Sequence, residues 1–269
     1  MNVLIASCRF RLAVAACLLG TLLVAVRAQT PQPTAPAFQG AIQPPPAGYH
    51  PPDGQTYVYD VEWRLWTAGT AEVRIAPENG EEHVSASGNS VGTVGLLYHV
   101  GDRFDAWFNR ETFCSRRIQK HIEEGFRRVE TATDFDYARK LAVLNQVNLK
   151  KGDRKHAEHP IPNCVTDVIS AIYYTASLPL TKGSSYEFPL NDGGDTVTVK
   201  ITVEAREDVK TPAGTFRTVR VQPTASQGVL KDRGKVWVWY TDDAQRIPVQ
   251  MRARMGWGTL TFRLLRVEK

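Results

Sequence analysis

Beyond the N-terminus, one stretch carries helical periodicity and almost everything around it alternates with period two. Pro162 to Pro179 reads P-N-C-V-T-D-V-I-S-A-I-Y-Y-T-A-S-L-P. Val165, Val168, Ile169, Ile172, Tyr173 and Ala176 recur at spacings of three and four and make one apolar stripe; Ser170, Tyr174 and Ser177 fall away from it. Asn163 is placed to cap the free backbone N–H groups, and Asp167 suits the positive end of the helix dipole. Pro179 stops the helix, because the residue before a proline avoids the α region. A lone helix among strands must lie on or in a sheet. Its stripe reads as core, and the alternative is that Tyr173 or Tyr174 lines a pocket.

The alternation starts just after Asp53-Gly54. Tyr57, Tyr59, Val61, Trp63 and Leu65 face one way and Val58, Asp60, Glu62, Arg64 and Trp66 the other, as in an antiparallel strand with one wet face. Asn79-Gly80 favours a hairpin. Strands are expected from Thr70 to Ile75, His83 to Val91, Leu96 to Phe108, Cys114 to Ile122, Phe126 to Phe135 and Ala138 to Val147, then a charged loop from Lys150 to His159. After the helix come Tyr186 to Leu190, a turn at Asn191-Asp192-Gly193-Gly194, and Val197 to Val203, the cleanest strand. Thr211-Pro212-Ala213-Gly214 turns the chain into Phe216 to Val221. Lys235 to Tyr240, Val249 to Met255 and Leu260 to Leu264 complete roughly a dozen strands of ordinary length. The fold class is therefore mainly β: a large curled antiparallel sheet, half-open and barrel-like, with one helix packed on or in it. Val236-Trp237-Val238-Trp239-Tyr240 is apolar on both faces, so both its sides need cover. The helix can supply one side. The other needs a second layer, the inside of a curled sheet, or a ligand.

Residues 1–28 read as an export signal: Arg9 and Arg11, an apolar run from Leu12 to Val26, and a small-residue cleavage site at Val26-Arg27-Ala28. Val14-Ala15-Ala16-Cys17 has the form of a lipoprotein cleavage box with too few apolar residues before it. Residues 29–52 hold half of the chain's 16 prolines and read as an extended tether with no core of its own. The folded domain is then 53–269. Losing residues 1–28 removes three arginines and no acid, so the formal charge falls from +5 to +2. Nothing that remains demands nucleic acid. The expected location is the periplasm or the outer-membrane periphery. Cys8 and Cys17 leave with the signal. Cys114 and Cys164, an even pair in an exported chain, are expected to be bonded, with separate thiols or metal ligands as the alternatives.

Three stretches also resemble a known family: T-P-A-G-T-F (Thr211–Phe216), G-K-V-W-V-W-Y-T-D-D-A-Q-R-I-P-V-Q-M (Gly234–Met251) and G-T-L-T-F (Gly258–Phe262). G-Q-T-Y-V-Y-D-V-E-W, with the later A-G-T-A-E-V, is similar too. The likeness is to the bacterial domain-of-unknown-function family 3108 and runs from about Asp53 onward. It implies an exported, mostly antiparallel β protein, a half-open barrel like those of periplasmic lipoprotein and lipid carriers. It implies no established activity.

No motif carries trusted catalysis. Gly88-Asn89-Ser90-Val91-Gly92 matches G-x-S-x-G, but a nucleophile elbow needs a helix after it and a parallel sheet, and turn and strand residues are expected here. His156, His159 and Cys164 have the spacing of a partial zinc site within a stretch more readily read as a solvated loop. Asp242-Asp243 reads as turn chemistry, with Arg246 able to pair with Asp243. Asp102 and Asp105 point to opposite faces of a strand. The basic run Ser115 to Arg128 reads as a solvated face, with lipid head groups or an acidic partner as the alternative. The expected protein is non-enzymatic, needs no cofactor, and holds an apolar or amphiphilic, lipid-like ligand. Trp63, Tyr173, Trp237, Trp239 and Trp257 are the candidates to line its site. An envelope scaffold or assembly factor with a fully packed interior is the alternative. Membrane association is expected to be peripheral at most.

Overall fold

Alternation along the chain becomes strand after strand, nearly all hydrogen-bonded to the next in sequence. The computed structural model describes residues 41–46, 49–64, 66–225, 234–256 and 258–269. One arm of the sheet is a meander of β1 (Thr56–Trp63), β2 (Trp66–Glu78), β3 (Glu81–Ser90), β4 (Gly101–Asn109), β5 (Ser115–Glu124), β6 (Arg127–Asp136), β7 (Leu141–Asn148) and β8 (Arg154–Pro160). The other arm is β9 (Ser185–Leu190), β10 (Val197–Thr211), β11 (Gly214–Ala225), β12 (Lys235–Thr241), β13 (Pro248–Met255) and β14 (Gly258–Glu268). The arms meet where β1 pairs with β14, Val61 opposite Phe262 and Trp63 opposite Leu260. All fourteen strands form one antiparallel sheet with β8 and β9 at its edges. The expected charged loop before the helix is thus strand β8, an edge strand whose Arg, Lys and His side chains guard it against further pairing.

The edges are brought together without strand pairing. After β9, the loop 191–196 meets the first arm. The Lys120 ammonium pairs with the Asp192 carboxylate, Thr196 Oγ1 donates to the Pro160 carbonyl at 3.4 Å, and Gly193 packs against Thr133 and Leu144. The segment before the helix adds a parallel bridge from Thr166 to Leu190. Cys114 and Cys164 form a disulfide. The sheet is curled and remains open.

Among the described residues two helices accompany it, α1 (Gly92–Leu97) and α2 (Ser170–Ser177). The α2 helix begins later than its periodicity suggests, because residues 164–167 are held extended by the disulfide and by pairing with Pro189 and Asn191. Asp167, not Asn163, receives the first free N–H groups: its Oδ1 accepts from Ile169 N at 2.7 Å and Ser170 N at 2.9 Å. Leu178 is extended ahead of Pro179, as a proline stop requires. Ser170, Tyr174 and Ser177 do not fall away to solvent; all three are buried, because the curled sheet surrounds the helix. The Ser170 hydroxyl accepts from Asp167 N and donates to the Asp167 carbonyl, and the Ser177 hydroxyl donates to the Tyr174 carbonyl. The α1 helix replaces the first part of an expected strand. Gly95 allows its tight return, since a Cβ there would lie 3.1 Å from the Ser90 carbonyl oxygen.

The largest core cluster packs Tyr173, Tyr174 and Ala176 of α2, with Leu178 just after it, against Phe108, Phe113, Phe188 and the inward residues of β10 to β12. Part of the expected tether belongs to this core. Ile42 and Tyr49 pack on it, Gln43 N donates to Tyr174 Oη at 2.8 Å, and the Tyr49 and Phe113 rings lie 6.3 Å apart. Residues 41–46 and 49–52 are therefore a strap across one end of the sheet. The proline-rich composition hid two apolar anchors. The export-signal reading of residues 1–28, including the lipoprotein alternative at Cys17, lies outside the described residues.

Candidate functional site

The concave side is filled at the strap end and open at the other. Between α2 and strands β1 to β4, β13 and β14 lies a cavity of about 940 Å3. Side-chain size explains it. Where β2 and β3 cross beneath α2, the inward residues are Ala68, Gly69, Ala71, Ala86, Gly88 and Ser90. Two strands of glycine, alanine and serine leave a trough that the flanking residues do not fill. A Cβ built on Gly88 would meet no atom within 4 Å. On one side of this floor the wall is Tyr59, Val61 and Trp63 of β1, continued by Leu260 and Phe262 of β14 and Met251 of β13; on the other it is Val100, Asp102 and Phe104 at β4, with Ile169, just before α2, and Ile172 and Tyr173 of α2 as the roof. Ile169 and Ile172 stay only partly buried and line the cavity. They are the part of the stripe that faces the trough.

The lining is mostly hydrocarbon, with a small polar group at one end. Asp102 takes the Glu123 backbone N–H at 2.9 Å. Burial raises its pKa, and that hydrogen bond only partly offsets the rise. Glu124 and the Tyr98 ring stand beside it, and Val94 of α1 reaches in from the same end. Such a site can enclose an apolar body and fix one polar end.

Two of the five candidate aromatics, Trp63 and Tyr173, line this cavity. Trp237 and Trp239 do not. Their neighbours Val238 and Tyr240 point to the α2 core, so by strand alternation the tryptophans point to the opposite face. There Trp239 packs with Val209 and Val249. It donates to Glu207 at 2.7 Å and lies under Arg252, 5.4 Å from its ring centre. The double-faced strand is thus covered on its outer side by the chain itself. Trp257 lies outside the described residues. Composition could not have found the small residues of β2 and β3, which are the larger part of the site; their only signal was Ala and Gly at alternate positions.

The weighed motifs resolve locally. A helix does follow Ser90, contrary to the expected turn and strand, but the sheet is antiparallel and Ser90 Oγ accepts from Val100 N at 2.9 Å. His156 meets Asn145 and His159 meets Asp195, on opposite faces of β8. Cys164 is in the disulfide. Arg246 pairs with Asp242 at 3.2 Å rather than with Asp243. Asp243 instead accepts from Gln245 N and Arg246 N to shape the turn. Asp102 lines the cavity while Asp105 pairs with His83 outside it. In the basic run, Arg116, Arg117, Lys120, Arg127 and Arg128 all have carboxylate partners.

A curled, unclosed antiparallel sheet with an internal helix and an apolar trough defines the class. Within it, the chain belongs to the protein family of unknown function DUF3108, which it matches over residues 58–265. Comparison with curated proteins finds no match. Among solved structures, it is similar to the beta-barrel-like protein of domain of unknown function DUF1849 from Brucella abortus. The TM-score is 0.58 at 8% identity, over 81% of this chain and 98% of that one, a likeness of fold alone. A candidate lipoprotein from Parabacteroides distasonis ATCC 8503 aligns at TM-score 0.37 and 10% identity, over 82% and 97% of the chains. A candidate exported protein with a YmcC-like fold from Bacteroides fragilis NCTC 9343 aligns at 0.32 and 12%, over 82% and 99%.

Proposed function

We propose that this is an exported envelope protein that holds an apolar or amphiphilic, lipid-like molecule between α2 and the concave side of the sheet. One observation carries the reading: a cavity of about 940 Å3 walled mostly by hydrocarbon. A volume of that order is in the range of small-molecule sites. The polar end at Asp102 and Tyr98 suits a guest with a tail and a head. Export is supported by the N-terminal sequence pattern and by the disulfide, a bond at home in oxidising compartments.

The test is native mass spectrometry of the protein recovered from the envelope of the cell that makes it, followed by organic extraction. The expected result is a bound mass of one lipid-like molecule per chain, released by solvent. A bare chain mass, with no uptake of an environment-sensitive apolar dye, would instead favour the scaffold alternative.

A further inference from the structure

Eight large hydrophobic side chains are exposed among the described residues: Trp66, Val91, Leu96, Leu97, Tyr98, Phe126, Leu149 and Val267. All but Val267 sit at one end of the sheet. They are also contiguous. Val91 N donates to the Ala68 carbonyl, which places α1 beside the start of β2 and Trp66. Gly125 N donates to the His99 carbonyl at 2.8 Å, and Gly125 approaches so closely that a Cβ there would lie 2.7 Å from the Tyr98 ring. Leu149 N donates to the Arg128 carbonyl, which brings in the β7–β8 turn. Leu96 is 89% exposed, Leu97 84%, Phe126 90% and Trp66 71%. The α1 helix has no buried residue. A six-residue helix with no buried side chain does not hold by propensity, and a cluster of exposed side chains this large marks an interaction site.

Charge indicates what covers it. The same turns carry Arg64, Arg127, Arg128, Lys150 and Lys151 against Glu123, Glu124 and Asp153. The cations sit beside the apolar tips. Lys150 Nζ stands 5.1 Å over the Phe126 ring and Arg64 5.3 Å over Trp63. Neither Lys150 nor Lys151 is in an ion pair with a described residue. Aromatic and leucine tips ringed by Lys and Arg match the boundary of a bilayer with anionic head groups, where tips enter the acyl layer and cations stay with the phosphates. The turns that replace them at the opposite end, Glu78–Glu81 and Asp242–Arg246, carry no exposed large hydrophobic.

We propose that this rim docks on an anionic lipid surface. The cavity reaches the same end, where Val94, Tyr98, Val100 and Gly256 line it. A guest could then pass between bilayer and cavity without crossing water. That purpose rests on the function proposed above; the docking itself does not.

The experiment is flotation of the full chain with vesicles of phosphatidylglycerol and phosphatidylethanolamine, or of phosphatidylcholine alone. The wild type is expected to float with the anionic vesicles and to be released by high salt. The triple variant Leu96→Asp, Leu97→Asp, Phe126→Asp changes only exposed side chains. It is expected to lose binding by at least about tenfold at unchanged Tm. Lys150→Glu with Lys151→Glu should weaken binding and flatten its salt dependence. The N-terminal segment is common to all these chains, so the differences report the rim. Gly88→Leu, which fills the cavity, should float like the wild type, separating failure of docking from failure of the ligand reading. Equal flotation of triple variant and wild type, or no preference for anionic vesicles, overturns the proposal. So does a wild-type dimer in sedimentation velocity that the triple variant dissolves, which would give the rim to a second copy of the chain.

Discussion

Ser115 Oγ donates to Asp167 Oδ2 across 2.6 Å, and neither residue has any solvent exposure. Ser115 opens β5 and Asp167 precedes α2, so this contact sets where the helix enters the sheet. Asp167 also takes two backbone N–H groups. Burial nevertheless raises its pKa, outweighing the hydrogen bonds from Ser115, Ser170 and Ile169. Asp167→Ala leaves those donors without an acceptor and is expected to cost about 2 kcal/mol in denaturant unfolding.

The same group has a pH signature. Its folded state binds a proton more tightly than the unfolded chain does. Its contribution to stability is therefore complete below the ordinary aspartate range and is lost as pH climbs through the raised folded value. Asp167→Asn keeps an acceptor for the backbone and does not titrate. The stability advantage of wild type over Asp167→Asn should shrink as pH rises from below 4 toward neutrality, measured by paired thermal melts. A gap that widens with pH would contradict the raised value.

The Cys114–Cys164 bond spans 50 residues. Loop closure on that scale stabilises by about 4 kcal/mol in the chain-entropy model. Cys114→Ser with Cys164→Ser should show that loss in equilibrium unfolding, and wild type should match it when reductant is added.

Gly88 has open space where a side chain would go, and its φ is not in the left-handed region. Gly88→Leu should fold normally and hold or raise Tm by filling the trough. Retained guest should fall to about a tenth or less of the wild-type amount, read by mass spectrometry of the extract.

Tyr174 Oη receives Gln43 N. Tyr174→Phe removes that acceptor and little else, so its expected cost is about 1 kcal/mol. Hydrogen exchange should accelerate in residues 41–52 and not in β12 or β13. Uniform acceleration would mean the strap is not a separate unit.

Period-two alternation made the strands legible, because half-buried strands must alternate and their turns need Gly, Asn and Pro. The resemblance in Gly234–Met251 added the family. The helix was legible as a type of element but not in its start, because long-range pairing to Pro189 and Asn191 holds Thr166, which falls in the expected first turn. The site was half legible. Trp63 and Tyr173 announce themselves by size, whereas Gly88, Ala71 and Ala86 matter through what they lack. Trp239 misled because a large aromatic on a double-faced strand reads the same whether a ligand or an arginine covers it.

The pairing of β1 with β14 has a kinetic meaning. Each arm can zip up from its own hairpins as the chain emerges, yet the trough takes Val61 and Trp63 from the early arm and Leu260 and Phe262 from the late one. Until β14 is delivered, the nascent protein is two unfinished half-shells, each with a greasy inner lining turned to water. A chaperone bound to the first arm during synthesis would be protecting a binding site that does not yet exist.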